Sequence, residues 1–119
     1  MDVLRHRIVK NNDAVMFDID DTLIFTNGRA NIPIIKLLHG AMNLGYKIII
    51  MTARPQILGM LQMTKYQLSV YDIPYHELYI TPAQNKGHLK VKTGYNYVLS
   101  VGDMDTDLTH TEYALKISI

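Results

Sequence analysis

Aspartate residues are concentrated in two short segments of this sequence. Seven of its eleven acidic residues lie there: Asp13, Asp18, Asp20 and Asp21 near the start, and Asp103, Asp105 and Asp107 near the end. Carboxylates that fold into one site repel each other unless a cation lies between them, and their pKa values then differ. Two such acids could divide the chemistry, one attacking an electrophile while the other transfers a proton.

The first acidic segment, Asp18-Ile-Asp20-Asp21-Thr22, follows directly on an apolar run. Residues two apart in an extended chain project to the same side, so the side chains of Asp18 and Asp20 are expected to lie on the same side of the chain. An acidic solvent-exposed turn is the simpler interpretation, but the direct junction with a wholly apolar strand disfavours it. A calcium-binding loop is also disfavoured, because Leu23 and Arg29 stand where that loop requires Gly and Glu.

The second acidic segment has the pattern GDxxxD, formed by Gly102, Asp103 and Asp107. A spacing of four places both carboxylates on one helical face, or on a strand end and the following first turn. Together with Asp18 they would form an oxygen-rich site suited to Mg²⁺, which accepts few carboxylates and keeps several waters. Helix capping by Asp103 or Asp105 is the structural alternative, with Asp105 the better candidate.

Three other polar residues follow predicted strands or begin predicted helices. The hydroxyl of Thr52, at the end of an Ile-rich run, could bond a phosphoryl oxygen or simply cap a helix. Arg54 could contact a substrate phosphate or cap the same helix. A lone lysine such as Lys86 is usually a solvated surface charge, and Lys90 and Lys92 compete for any role given to it.

Apolar runs alternate with helical patterns along the whole chain, which favours a parallel sheet covered on both faces. The predicted strands are 14–19, 47–51, 76–81, 97–101 and 115–119. Four helices are predicted. The first runs from near Pro33 to Gly45, the second from Pro55 to Leu68, the third from about Asn85 to just before Gly94, and the fourth covers 106–113. The fold class is therefore α/β, a three-layer α/β/α sandwich with a five-stranded parallel, Rossmann-like sheet, forming one domain over 1–119. Ligands bind such sheets at the carboxyl ends of the strands, where the polar residues fall.

Composition excludes several classes of protein. The 119 residues are 48% hydrophobic and contain no cysteine, which excludes a disulfide framework, a thiol nucleophile and a Cys-ligated zinc. A net charge of +1 is too small to indicate a strongly electrostatic nucleic-acid binder. The chain shows neither an apolar run long enough for a membrane span nor a secretion signal, so we expect a cytoplasmic protein that does not enter membranes. Phosphate-binding and dinucleotide-binding glycine motifs are also lacking.

In this order the motifs resemble those of the haloacid dehalogenase superfamily. Residues 15–23, VMFDIDDTL, match its hhhDxDxT signature, and residues 47–52, KIIIMT, look like its second motif. Lys86 is similar to its third motif and residues 98–107, VLSVGDMDTD, to its fourth. The first motif has a second aspartate, Asp20, as in the phosphatases of this superfamily; the dehalogenases lack it. The four motifs span residues 15 to 107, with the first and fourth the most specific.

The resemblance implies a Mg²⁺-dependent phosphomonoesterase. Asp18 would attack phosphorus and form an aspartyl-phosphate, and Asp20 would protonate the leaving oxygen and then deprotonate the hydrolytic water. Thr52 and Lys86 would hold the phosphoryl oxygens. Asp18, the backbone carbonyl of Asp20, and Asp103 would bind Mg²⁺, with Asp107 reaching it directly or through water.

The resemblance also bears on substrates, because there is little chain for a cap domain after Thr22 or before Lys86. The chain looks like the capless subclass, and the stretch Thr52-Ala-Arg54-Pro55 followed by Thr64 is similar to the class III acid phosphatases. Capless members tend to act on large substrates, such as polynucleotide ends or phosphoproteins, or borrow a lid from a neighbouring subunit. The resemblance therefore implies a nucleotide or a macromolecular phosphate as the substrate, or a homo-oligomer in which a neighbouring subunit supplies the lid.

Two other functional classes are compatible with such a sheet. A signalling receiver domain would carry its phospho-accepting aspartate at the end of the third strand, but that strand here ends Tyr79-Ile-Thr-Pro82. A binding or regulatory module that kept the fold and lost the activity is the other. The retained acid pair argues against it, since buried like charges have no evident structural use.

Overall fold

A computed structural model describes residues 1–118 of the chain. Its α-helices are α1 (Asp2–Arg5), α2 (Ile32–Asn43), α3 (Met60–Val70) and α4 (Lys86–Thr93), and its strands are β1 (Asp13–Phe17), β2 (Lys47–Thr52), β3 (Glu77–Ile80), β4 (Asn96–Gly102) and β5 (Tyr113–Lys116). Two short 3₁₀ helices, Ala83–Asn85 and Asp105–Asp107, precede α4 and follow β4. No helix of the described residues is long and apolar enough to cross a membrane.

The five strands form one parallel sheet in the order β3-β2-β1-β4-β5. The first strand lies at its centre, and all five of its residues are buried. Strand order reverses here, since β2 lies on one side of β1 and β4 on the other. A crevice at the carboxyl ends of β1 and β4 is where a doubly wound sheet binds its ligand.

Two apolar clusters cover the two faces of the sheet. The larger one joins Val15, Phe17 and Ile50 of the sheet to Leu38 of α2 and Leu68 of α3. The smaller one is formed by the alternate strand residues, which point to the opposite face because side chains alternate along a strand. Its members are Ala14, Met16, Ile49, Met51 and Tyr97, with Leu89 of α4 packed against them. The chain thus has the predicted three layers.

Most predicted elements are present, but the last predicted helix is wrong. Residues 106–113 form the end of a 3₁₀ turn and a bend that enters β5 at Tyr113. The connection from β4 to β5 runs through Asp105–Asp107, and Lys90 bonds the backbone that follows. Tertiary hydrogen bonds from a neighbouring helix have therefore replaced the helical ones. The predicted fifth strand, 115–119, begins two residues earlier and ends at Lys116, and Ile119 lies outside the described residues.

The helix predicted from Pro55 begins later, at Met60. Residues 53–59 cross the carboxyl edge of the sheet as a loop, in which Leu58 is fully exposed rather than buried. Gly59 has a positive φ of 85° at the helix start, a conformation that glycine adopts without steric cost. Two connections at this edge are short, with residues 18–31 joining β1 to α2 and residues 81–85 joining β3 to α4.

Candidate active site

Three carboxylates meet at the carboxyl ends of the two central strands. Asp18 follows β1, Asp103 follows β4, and Asp107 ends the 3₁₀ helix after β4. One carboxylate oxygen of each lies within 4.8 Å of those of the others. Asp18 and Asp107 are buried and Asp103 is partly buried. The sequence placed these acids in segments some eighty residues apart, and the adjacency of β1 and β4 brings them together.

Lys86, the first residue of α4, lies between two of these acids. Its Nζ donates to Asp107 Oδ1 at 2.6 Å and to Asp18 Oδ1 at 3.1 Å, and its side chain is almost fully buried. Burial alone would lower the pKa of Lys86, but Asp18 and Asp107 outweigh it and raise the pKa above its ordinary value. The lysine is therefore a fixed buried cation and not a solvated surface charge, the usual position of a lone lysine.

Burial raises the pKa of Asp18 from 3.8 to about 7, with Asp107 and Asp103 adding to the effect and Lys86 opposing it. The buried positive charge of one lysine does not balance three acids. A divalent cation would add the missing positive charge, and oxygen-only ligands suit Mg²⁺. The donor set of Asp18, Asp103 and Asp107 therefore fits the expected metal, which would keep Asp18 ionised by lowering its pKa.

Asp107 is held in place by the loop that carries it. Its Oδ2 accepts from the backbone N–H of Met104 at 3.2 Å, so Asp107 caps the turn that begins after Met104. A Cβ at Gly102 would overlap the Asp107 side chain. The glycine of the GDxxxD pattern is thus required because the carboxylate packs directly against its backbone.

Lys90 supports the loop that carries Asp107. The sequence indicates this lysine only as an alternative to Lys86 and does not predict the supporting role. Its buried Nζ donates to Ser100 Oγ at 2.9 Å and to the carbonyls of Asp107 at 2.6 Å and Thr109 at 2.7 Å. Burial lowers its pKa to about 8. Residues four apart share a helix face, so the i, i+4 spacing of Lys86 and Lys90 was the available signal.

Asp20 and Arg54 form an ion pair at the mouth of the site. The guanidinium donates from Nη2 to Asp20 Oδ1 at 2.9 Å and from Nε to Oδ2 at 3.0 Å. Its Nη1 donates to Thr64 Oγ1 at 3.1 Å. The expected substrate contact of Arg54 is not what these bonds describe, and neither is a helix cap, because α3 begins six residues later. The Asp20 side chain lies outside the carboxylate cluster, so any metal contact of this residue stays with its backbone carbonyl.

Thr52 is the last residue of β2 and is buried at the same edge of the sheet. Its hydroxyl accepts a long hydrogen bond of 3.4 Å from the backbone N–H of Arg54. Its carbonyl accepts from Thr81 N–H, which ties the loops after β2 and β3 together. The hydroxyl therefore lies at the expected strand end, and its contact with a phosphoryl oxygen stays a prediction.

Asp13 and Asp105 also belong to the clustered segments but lie outside the site. Asp13 begins β1, so the length of the strand separates it from Asp18, and it accepts from Asn96 and Lys10 instead. Asp105 was the favoured helix cap, but the capping carboxylate belongs to Asp107. Asp105 is exposed and pairs with Lys116 at 2.8 Å.

Known proteins resemble this chain in sequence and in fold. A family model described as haloacid dehalogenase-like hydrolase matches residues 15–93, which include Asp18, Thr52 and Lys86 but end before the GDxxxD segment. Among solved structures, the chain is similar to one in the "Structure of Pnkp1/Rnl/Hen1 complex", with 22% identity and a TM-score of 0.66. The match covers 82% of this chain and 41% of that one, so this chain spans less than half of that protein. No curated protein shows significant similarity.

Proposed function

This chain belongs to the haloacid dehalogenase-like hydrolases, and we propose that it is a Mg²⁺-dependent phosphomonoesterase that works through an aspartyl-phosphate on Asp18. One observation carries the proposal. A buried aspartate at the carboxyl end of the central strand contacts a buried lysine and faces two further acids. This is an arrangement of one nucleophile, one phosphate-binding cation and the ligands for a second cation.

In the first half-reaction a carboxylate oxygen of Asp18 attacks phosphorus. The bond from phosphorus to the ester oxygen breaks, and Asp20 supplies the proton that this oxygen needs to leave as an alcohol. In the second, water attacks phosphorus while Asp20 takes its proton. The bond between phosphorus and the Asp18 oxygen breaks, which releases inorganic phosphate and restores both acids.

The remaining residues position the phosphoryl group and balance its charge. Phosphoryl transfer depends on in-line positioning and on charge neutralisation more than on further covalent chemistry. Lys86 and the Thr52 hydroxyl hold the phosphoryl oxygens. Mg²⁺ bound by Asp18, the Asp20 carbonyl, Asp103 and Asp107 would supply positive charge that reduces repulsion between the anionic nucleophile and the anionic ester.

The substrate is proposed from the openness of the site. Connections 18–31 and 81–85 are too short to hold an inserted cap domain, which supports the capless subclass. An open site admits a nucleotide, a polynucleotide end or a phosphoprotein, and a second copy of the chain could supply a lid. The exposure of Asp20, more than half of its side chain, is in accord with access from solvent.

Hydrolysis of an aryl phosphate by the purified chain tests the proposal. We expect release that requires Mg²⁺, stops with EDTA and is lost in Asp18→Asn. Asp105→Asn is the matched control, because this acid is exposed and pairs only with Lys116 among the described residues. It should keep full activity.

If the wild type releases nothing, beryllium fluoride with Mg²⁺ separates the remaining explanations. Binding that depends on Asp18 would indicate an intact site that demands a macromolecular substrate. Absence of both binding and hydrolysis would contradict the proposal and favour a module that has lost its activity.

A further inference from the structure

The ion pair between Arg54 and Asp20 is built in a way that ordinary surface pairs are not. Arg54 approaches the carboxylate with two parallel N–H groups, and both distances are about those of a strong charge-assisted bond. Only 10% of the Arg54 side chain is exposed, against 56% for Asp20. The arginine is therefore the fixed member of the pair and the aspartate is the accessible one.

A second bond fixes the arginine itself. Its Nη1 donates to the hydroxyl of Thr64, which is fully buried in the first turns of α3. Nε, Nη1 and Nη2 are thus all engaged by protein groups. The Nε–Nη2 edge, whose two parallel N–H groups would hold a phosphate in two bonds, is occupied by Asp20, so a substrate phosphate could take this edge only by displacing that carboxylate.

We infer that Arg54 is a positioning residue for Asp20, anchored by Thr64, and not a substrate-binding residue. This inference rests on the proposed function, in which Asp20 transfers the proton. An exposed aspartate would otherwise occupy several rotamers, and in the part of the chain that the structure describes Arg54 is the only side chain that bonds its carboxylate. The pair leaves one lone pair free on each carboxylate oxygen, so Asp20 can take up a proton from solvent there while it is held and deliver that proton to the leaving oxygen.

Loss of this positioning has a signature that loss of substrate binding lacks. The ratio kcat/KM reports the steps up to departure of the leaving group. An alkyl oxygen is a poor leaving group that needs the proton, whereas a dinitrophenolate leaves readily without it. Arg54→Gln should therefore lower kcat/KM by about a hundredfold for an alkyl phosphate, the scale of a misplaced catalytic group, and by only about threefold for dinitrophenyl phosphate.

Thr64 supplies a variant that touches neither Asp20 nor substrate. Thr64→Val has nearly the same shape but cannot accept from Arg54, so it should reproduce the same leaving-group dependence more weakly. Thr64→Ser keeps the hydroxyl and should restore the alkyl activity. Asp20→Asn should lose more than either, and adding Arg54→Gln to it should cause no further loss, because the two residues act as one unit.

Thermal unfolding of each variant separates a folding defect from a positioning defect. If Arg54→Gln does not fold, the comparison of Thr64→Val with Thr64→Ser tests the inference instead. A loss of equal size for both esters, or a rise in KM alone, would overturn the inference and make Arg54 a substrate-binding residue. Unchanged activity in Arg54→Gln would overturn it too. Failure of the proposed function is a different result, since the wild type would then hydrolyse neither ester.

Discussion

At the scale of single residues, the site is a set of buried charges that do not balance without a further cation. Asp18, Asp107 and Lys86 are buried within a few ångströms of one another, and Asp103 adds a third acid. Ionising an acid in such surroundings is costly, because burial and like charges both favour its neutral form. The stability of the metal-free protein should therefore depend on the pH through Asp18.

Asp18→Asn should stabilise the metal-free protein at alkaline pH. The pKa of Asp18 is about 7 in the folded protein against 3.8 for the ordinary group. The stabilisation from its bound proton is complete below about pH 3.8 and is lost as the pH rises through 7. Asparagine carries no charge at this position, so at pH 8 in EDTA the unfolding free energy of Asp18→Asn should exceed that of the wild type by on the order of 4 kcal/mol, and its melting temperature should be higher.

The extra stability of Asp18→Asn should shrink as the pH is lowered from 7 to 5. Asp18 of the wild type keeps its proton at the lower pH, so the wild type has lost less of its own stability there. Mg²⁺ should raise the wild-type melting temperature at pH 8 and leave that of Asp18→Asn nearly unchanged. Asp105→Asn should show neither effect. A gain that is the same at pH 5 and pH 8 would contradict the assignment of the shifted pKa to Asp18.

Substitution of the three lysines of α4 should separate the roles that the sequence left open. Lys86→Ala should reduce turnover much more than Lys90→Ala or Lys92→Ala, because Lys86 alone contacts the acids' carboxylates. Lys90→Ala should mainly lower the unfolding free energy, by about 1–3 kcal/mol, since it leaves buried oxygens unbonded. Lys92 is exposed, so its variant is the matched control. A greater loss of turnover in Lys90→Ala than in Lys86→Ala would show that Lys90, and not Lys86, is the lysine of the third motif.

At the scale of elements, the loop after β4 is held rigid by the helix beside it. Lys90 bonds two of its carbonyls, and a Cβ at Gly87 would approach the His110 ring to 2.7 Å. The small residue at the start of α4 thus lets the helix and the loop pack closely. Through this packing, α4 supplies Lys86, the proposed phosphate-binding residue, and also fixes the loop that carries Asp107.

Gly102→Ala should disable the site while leaving most of the fold intact. The added Cβ would overlap Asp107, which is fully buried and cannot move into solvent. We expect Mg²⁺ to lose its effect on the melting temperature and turnover to fall at least about a hundredfold, as for a misplaced catalytic group.

Gly40→Ala is the control, because its Cβ would meet nothing within 4 Å in the middle of α2. It should raise stability by about 0.5–1 kcal/mol and leave turnover unchanged. Mg²⁺-dependent stabilisation that survives in Gly102→Ala would show that Asp107 does not depend on the close approach.

Local patterns predicted the strands better than the connection from β4 to β5. The central strands are apolar runs that end in acids, so sequence alone located Asp18 and Asp103 at strand ends. The stretch from Thr106 to Tyr113 carries weak helical signals, and the bonds that decide its path come from Lys90, a residue distant in the chain. Such long-range hydrogen bonds leave no periodic trace in the sequence.

At the scale of the whole molecule, the parallel sheet with its reversed strand order brings all the functional segments to one edge. The acids and Lys86 could be assigned in advance because their motifs occur in order along the chain. The bonding of Arg54 to Asp20 could not, since no spacing rule relates two loops that follow different strands. Asp13 belongs to the same acidic segment of the sequence as Asp18, yet the length of β1 separates the two residues.

The open edge also raises the question of a lid from a second copy. If a neighbouring subunit completes the site, turnover of a small ester should rise with protein concentration as an oligomer forms. Light scattering alongside the assay measures both. A monomer with full activity on a small phosphate ester would contradict a borrowed lid and favour a site that is open in use.

Direct detection of the phosphorylated residue tests the central claim most sharply. Wild-type protein mixed with Mg²⁺ and an aryl phosphate is quenched in acid, reduced with borohydride and digested, since reduction converts an aspartyl-phosphate to homoserine. Mass spectrometry should find homoserine at position 18, and not in EDTA or in Asp18→Asn. Homoserine at Asp20 or another acid, or rapid turnover with every aspartate unmodified, would contradict the account.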